Sequence, residues 1–335
     1  MIGHRGSPCL IPEETLESFT RAAQDGADLI EWDVISSQDG VLLAHHDLTL
    51  DATTDVQQLF PGRESTHTVQ DKPLHGFFAK DFNWKEIQTL RVKQAMPFRN
   101  HALDGMFEIP SLSQVLELAN KVRTEGKEIG VYIESKDPEF HRQHGLALEE
   151  KIISHLKKSG FDGPIILQSF SRDSLYLMKA EAEKQGVKLD GLIWLVDCTL
   201  DLDELTQALP EFKAKGGTGI GPDKSMILAV ESTPECGPKP ESGACYQTNG
   251  FCSGRLVQPT SLVQACHDLG LVVHPWTLRN EMSFLPLDFA SDPHAELQAL
   301  HDAGVDGVFT DCPRTTASWR SCALEQSCEP VMELD

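Results

Sequence analysis

The chain has 335 residues, a formal net charge of −22 (29 Lys and Arg against 51 Asp and Glu) and 40% hydrophobic residues. That length and apolar content allow a full buried core, and an α/β barrel of ~250 residues with insertions fits it as one domain. The charge excludes nucleic acid and an anionic membrane surface as partners, because the field repels both, and no run of about 18 apolar residues offers a membrane-spanning helix.

Met1-Ile2 is a minimal apolar start, followed by His4-Arg5 and by Gly6, where the chain must turn. Arginine presents a planar fork that matches phosphate, and histidine moves a proton near neutral pH. So few residues precede His4 that a barrel strand is expected to begin in chain ahead of Met1, and no basic stretch leading into an apolar one marks a signal peptide here. Pro12-Glu13-Glu14-Thr15 opens a helix that carries Leu16, Phe19, Ala22 and Ala23 on one face. The run Ala27 to Val34 predicts a second strand ending at Glu31 and Asp33, whose spacing of two places both carboxylates on one side. An isolated Glu-x-Asp is more often a pair of solvated acids. Two like charges on one buried face, however, call for a divalent cation with oxygen ligands, Ca²⁺ or Mg²⁺. Val41 to Ala44 then runs into His45 and His46 and supplies another imidazole. Two histidines, an arginine and a carboxylate pair at the ends of apolar runs predict metal-assisted phosphoryl transfer.

Residues 48–110 break the rhythm with turn formers and short runs, an excursion over one mouth of the barrel. Ser111 caps a helix through about Glu125, and the strand Ile129 to Ile133 exits at Glu134-Ser135-Lys136. This brings a third carboxylate and an ammonium to a strand end, where alone they would read as a surface pair. A helix over 142–159 follows, then a strand Pro164 to Gln168 with Phe170 at its exit, and a helix from Arg172 to Gln185. Next come a strand Leu192 to Val196, a helix Leu202 to Lys213, and Gly217 to Gly221, a closely packed strand rather than a dinucleotide turn, since no helix follows at once. After a cysteine-bearing segment, 224–258, the pattern resumes with a helix over 259–269, a strand Leu271 to Trp276, a helix over 294–303 and a strand Val305 to Phe309 ending at Thr310-Asp311. About eight strands in alternation with helices, without a Gly-rich Rossmann fingerprint, predict a TIM (β/α)8 barrel. Its insertions follow strand 2 (about 48–110) and strand 6 (about 224–258), in a single domain over 1–320 with a tail over 321–335. The active site belongs at the strands' C-terminal ends, where His4, Arg5, Glu31, Asp33, His46, Glu134, Lys136, Gln168 and Trp276 fall. Gln168, Phe170 and Trp276 stand where they would contact a small substrate, although aromatic residues at such ends are as often plain packing.

Nine cysteines are unusual for a reducing compartment. Cys236, Cys245 and Cys252 fall in a Gly/Pro-rich segment, and Cys312, Cys322 and Cys328 crowd the C-terminus, a density that predicts disulfides. The spacings contain no Cys-x-x-Cys pair, which argues against a zinc site.

Taken together, His4-Arg5-Gly6, Pro12-Glu13-Glu14-Thr15, Gly26-Ala27-Asp28 with Glu31-Trp32-Asp33, His46-Asp47 and Glu134-Ser135-Lys136 resemble the glycerophosphodiester phosphodiesterase family. Further segments, among them Val272 to Thr277 and Gly307 to Asp311, resemble its periplasmic bacterial branch, so the likeness covers nearly the whole chain. The resemblance implies a TIM barrel that hydrolyses deacylated phospholipids such as glycerophosphocholine to sn-glycerol 3-phosphate and an alcohol. It implies that Glu31, Asp33 and Glu134 ligate one divalent cation, calcium ahead of magnesium. It gives His4 and His46 acid and base work, and Arg5 and Lys136 the phosphoryl oxygens. The nucleophile it implies is the substrate's neighbouring hydroxyl, by way of a cyclic phosphate, with direct attack by water left open. A periplasmic or secreted location follows from the resemblance and the loop cysteines together; oligomeric state is left open. Glu14 stands where the family often has Asn or His, and 224–258 diverges. A lysophospholipase D acting on acylated lipid would want an apolar docking surface, which the acidity opposes. A non-catalytic phosphate-binding barrel would not need every acid, base and cation ligand.

Overall fold

The computed structural model describes residues 1–233 and 252–325. They form two compact units, one holding 4–24 and 28–194, the other 1–3, 25–27 and the chain from 195 onward.

In the first unit four parallel strands lie side by side in the order Leu29–Ser36, Gly130–Ser135, Ile165–Ser169 and Gly191–Val196, the last belonging to it through Trp194. Their register matters for function. Asp33 lies opposite Glu134, and Glu134 opposite Gln168, so one row across three strands carries two carboxylates and an amide. The strands are buried almost throughout because helices cover them. Leu16–Gln24 buries Phe19 and Ala22, with Phe19 packed on Trp32 at 6.1 Å between ring centroids. Truncating such a ring in a closed core costs about 3–5 kcal/mol. Leu112–Thr124 begins at a capping box, in which the Ser111 hydroxyl accepts from the Gln114 N–H and the Gln114 side chain accepts from the Ser111 N–H.

Two expectations need correction here. The strand predicted to end at Asp33 runs on to Ser36, because Val34, Ile35 and Ser36 pair antiparallel with Ala44, Leu43 and Leu42. The Val41 run is therefore the return arm of a hairpin, and its end is tied to the site through the His45 N–H, which donates to the Asp33 carbonyl at 3.0 Å. The helix predicted over 142–159 is two, Pro138–Gln143 and Glu149–Ser159, broken where Gly145 takes a left-handed φ of 71°. The excursion after the hairpin contributes Leu50, Phe77, Phe78, Phe82 and Ile109 to an apolar cluster that Ile35, Leu43 and Phe140 complete, and it carries an antiparallel hairpin of Ser65–Val69 and Lys72–Gly76.

In the second unit Gly219–Pro222 pairs in parallel with Val272–Val273, and Ile2–Gly3 with Phe309–Thr310. Both later strands are shorter than the apolar runs predicted. The ladder continues beyond the first as an isolated bridge between Asp223 and Trp276. The close packing expected of the glycine run is real at Gly217, where a Cβ would come within 2.3 Å of the Phe212 ring. Four α-helices accompany these strands among the described residues: Leu202–Ala214, Leu262–Asp268, Pro293–Asp302 and Pro313–Glu325. Lys224 and Glu296, both fully buried, form an ion pair at 2.6 Å, and the Lys224 ammonium also donates to the Phe284 carbonyl at 2.9 Å.

Cys9, Cys198, Cys252 and Cys312 are disulfide-bonded, while Cys266 is a buried free thiol. The expectations for Cys236, Cys245 and Cys328 lie outside the described residues. No helix among the described residues is long and apolar enough to cross a membrane.

Candidate active site

Glu31, Asp33 and Glu134 come together, with one carboxylate oxygen from each lying within 4.8 Å of the others. All three are buried. Three carboxylates this close cannot all stay charged without positive partners, and the first unit places two beside them. The Lys136 ammonium lies 3.2 Å from Glu134 Oε1 and 3.5 Å from Asp33 Oδ1, and Arg5 Nε lies 3.3 Å from Asp33 Oδ2. The pulls differ by residue. Burial raises Asp33, but Lys136, His46 and Arg5 outweigh it and hold the carboxyl well below its usual range. Burial, with Asp33 adding to it, pushes Glu31 well up, and burial pushes Glu134 up to about 8 despite the neighbouring Lys136. Both cations respond in turn. Burial lowers Lys136 and Arg5, yet the surrounding carboxylates more than offset it and leave both raised and firmly charged.

The turn that presents Arg5 is built for the purpose. Arg5 is left-handed, with φ of 52°, and Gly6 follows at 94°, where a Cβ would meet Ser18 at 2.4 Å. The Arg5 N–H donates to Glu31 Oε2 at 2.8 Å, and its guanidinium donates to Glu13 Oε1 at 2.9 Å. His4, directly before it, is buried. His46 adjoins Lys136. Its Nε2 accepts from the Lys136 ammonium at 2.8 Å and its Nδ1 lies 2.6 Å from Asp47 Oδ1, which sets the tautomer: Nδ1–H donates to Asp47. Burial, Arg5 and Lys136 together lower His46, so it is neutral at neutral pH and able to take a proton at Nε2.

Of the three residues expected against substrate, Gln168 is buried with its Nε2 donating to Glu31 Oε1 at 2.8 Å, so it orients a carboxylate. Phe170 is 44% exposed beside the Lys136 ammonium, 5.7 Å from its ring centroid. Trp276 belongs to the second unit, where its indole N–H donates to the Gly221 carbonyl at 2.7 Å. Three residues at the site, each within a quoted motif, carry no assigned role on sequence grounds. Glu13 and Glu14 read as the opening of a helix, but the helix begins at Leu16, and both acids are buried, Glu13 on Arg5 and Glu14 accepting from the Asp33 N–H at 3.1 Å. Two successive acids between a proline and an apolar stripe were the available signal. Asp47 was legible only as the neighbour of His46.

The donor set fits a hard divalent cation. Both Asp33 side-chain oxygens, Glu14 Oε2 and Gln168 Oε1 are buried without a hydrogen-bond partner, and every one is oxygen.

A buried charged cluster at the exits of parallel strands is the layout of an α/β enzyme. The profile of the glycerophosphoryl diester phosphodiesterase family matches residues 4–315. The chain is 36% identical to a glycerophosphodiester phosphodiesterase of Arabidopsis thaliana over 92% of its own length and 82% of the relative's. It is 30% identical to one from Haemophilus influenzae over 94% and 88%. A crystal structure of a glycerophosphodiester phosphodiesterase from Agrobacterium tumefaciens superposes with a TM-score of 0.58 at 21% identity, covering 95% of this chain and 98% of that one. A phosphodiesterase of Oleispira antarctica, solved with the product sn-glycerol 3-phosphate, gives 0.58 at 19% identity over 95% of each. The fold is thus the TIM-type α/β fold, and the chain belongs to the glycerophosphoryl diester phosphodiesterase family.

Proposed function

We propose that this chain hydrolyses glycerophosphodiesters, such as glycerophosphocholine, to sn-glycerol 3-phosphate and an alcohol, using one divalent cation and two histidines. The observation that carries this reading is the convergence of Glu31, Asp33 and Glu134 within 4.8 Å, flanked by Arg5, Lys136 and His46.

In this reading Glu31, Asp33 and Glu134 hold the cation, and Gln168 fixes Glu31 through its amide. The ion supplies Lewis-acid stabilisation of negative charge on the phosphoryl oxygens. Arg5, fixed in place by Glu13 and Asp33, and Lys136, kept charged by Glu134 and Asp33, bind those oxygens before charge grows on them. The Lys136 ammonium that now caps His46 Nε2 turns to the phosphoryl group when substrate enters, which frees Nε2 as general base. Asp47 holds the imidazole's orientation and steadies the imidazolium that forms. His4 delivers a proton to the leaving alkoxide, and Phe170 packs on the glycerol beside Lys136. Calcium is favoured over magnesium because the site offers many protein oxygens, whereas Mg²⁺ keeps most of its waters. The catalytic unit is a single barrel domain over 1–320. His46 takes the proton of the substrate's neighbouring hydroxyl, whose oxygen displaces the alcohol and leaves a cyclic phosphate; water, deprotonated by His4, then opens that ring at phosphorus while His46 returns its proton to the freed oxygen.

Release of sn-glycerol 3-phosphate from glycerophosphocholine, followed with Ca²⁺, with Mg²⁺ and after exhaustive chelation, tests the reading. Turnover that stops on chelation and returns with Ca²⁺ is expected; full turnover after chelation removes the cation role, and no turnover with either ion removes the activity.

A further inference from the structure

Glu14 is a carboxylate with no evident reason to be buried. It is 3% exposed, and it takes a left-handed backbone, φ 59°, that L residues other than glycine rarely adopt. Two hydrogen bonds fix it: its own N–H donates to the Arg5 carbonyl at 3.1 Å, and its Oε1 accepts from the Asp33 N–H at 3.1 Å. Its Oε2 is buried with no hydrogen-bond partner. A carboxylate oxygen shut away from water is expensive unless positive charge stands opposite. The cations near the site are already engaged, Arg5 with Glu13 and Asp33, and Lys136 with Asp33, Glu134 and His46.

We propose that Glu14 is a fourth carboxylate of the cation site, acting on the ion from outside the ligand set of Glu31, Asp33 and Glu134. This rests on the reading that those three hold a divalent cation. Glu14 stays outside the set because its Oε1 is committed to the Asp33 backbone and its oxygens are not among those that converge within 4.8 Å. It has two consequences for the site. With the cation bound, the ionised Glu14 carboxylate would deepen the negative potential there, and its bond to the Asp33 N–H fixes the strand position from which the Asp33 side chain projects. Outer carboxylates of this kind commonly change metal affinity 10–100-fold.

Charge and bracing separate in one substitution, because Glu14→Gln keeps an oxygen for the Asp33 N–H and removes the charge. Calorimetric titration of Ca²⁺ into the chelator-stripped full chain should show Kd weakened about 10-fold or more in Glu14→Gln. The Ca²⁺-induced rise of the unfolding midpoint should shrink to match, while the stripped variant melts no lower than stripped wild type. Glu14→Asn, the neutral residue that resembling enzymes often carry there, should weaken binding to the same degree and serves if the Gln variant folds poorly. Wild-type affinity in Glu14→Gln and Glu14→Asn alike overturns the proposal and leaves Glu14 a backbone brace. No Ca²⁺ binding by the wild type overturns the underlying cation reading, and this one with it.

Discussion

Each unit buries charge, and the two do it in opposite ways. In the second, Lys224 meets Glu296 at 2.6 Å and also donates to the Phe284 carbonyl, so each buried charge has its opposite beside it. In the first, Glu13, Glu14, Glu31, Asp33 and Glu134 face Arg5 and Lys136, and several oxygens have no hydrogen-bond partner. A balanced buried pair is a matter of stability and specificity, whereas an unbalanced one stores a demand that a ligand can meet. Burial alone would not distinguish them; the count of partners does.

The contrast can be broken by substitution. Lys224→Met should destabilise the fold by about 3–5 kcal/mol in denaturant unfolding, because Glu296 is left charged and buried, while the folded fraction keeps wild-type kcat. A matched loss of kcat per folded molecule would erase the distinction between the units. His46→Ala or His4→Ala should do the reverse, costing at least ~100-fold in kcat with the unfolding midpoint little changed; near wild-type turnover in either removes that residue's role.

Smaller effects sharpen the same point through pH. Burial lifts Glu134 to about 8 from 4.5, so the folded chain without cation keeps a proton that the unfolded chain has released. That contribution to stability is complete below about 4.5 and is lost as pH rises toward 8. Chelated protein should therefore lose unfolding midpoint across that window, and Glu134→Gln should reduce the loss, leaving the part due to Glu31, which burial also raises; an unchanged slope would contradict the account. His46 is lowered from its ordinary value, so the acid limb of kcat/KM should fall below pH ~6.5. Asp47 raises His46 through their hydrogen bond, so Asp47→Asn should move that limb lower still, by a fraction of a pH unit to about one. A shift upward would mean the pair is wired differently.

Much of this site was legible without a structure, and the residues that were legible share a cause. Glu31 and Asp33 lie two apart on one strand, and Glu134 and Lys136 repeat the spacing on another, so strand periodicity alone puts each pair on one side. His46 was legible as a residue type but not by its route: the run before it proved to be the arm of a hairpin, and the His45 bond to the Asp33 carbonyl brings it in. Glu14 was read as the start of a helix because a proline followed by acids is a common helix opening. Its real position depends on a left-handed turn and on bonds to Arg5 and Asp33, residues 9 and 19 positions away. The helix expected over 142–159 ran through Gly145, whose left-handed backbone instead separates a helix ending at Gln143 from one starting at Glu149.

By itself the sequence determined the alternation of strands and helices, the family and the identity of most charged groups in the site, because those depend on local periodicity and on motifs carried in short runs. Only the tertiary structure decided which oxygens have partners. Register across three strands aligns Asp33, Glu134 and Gln168, and the left-handed turns bring Arg5 and Glu14 against them. Whether a buried carboxylate is satisfied or waiting for a cation depends on distances between residues far apart in the chain, which no local pattern encodes.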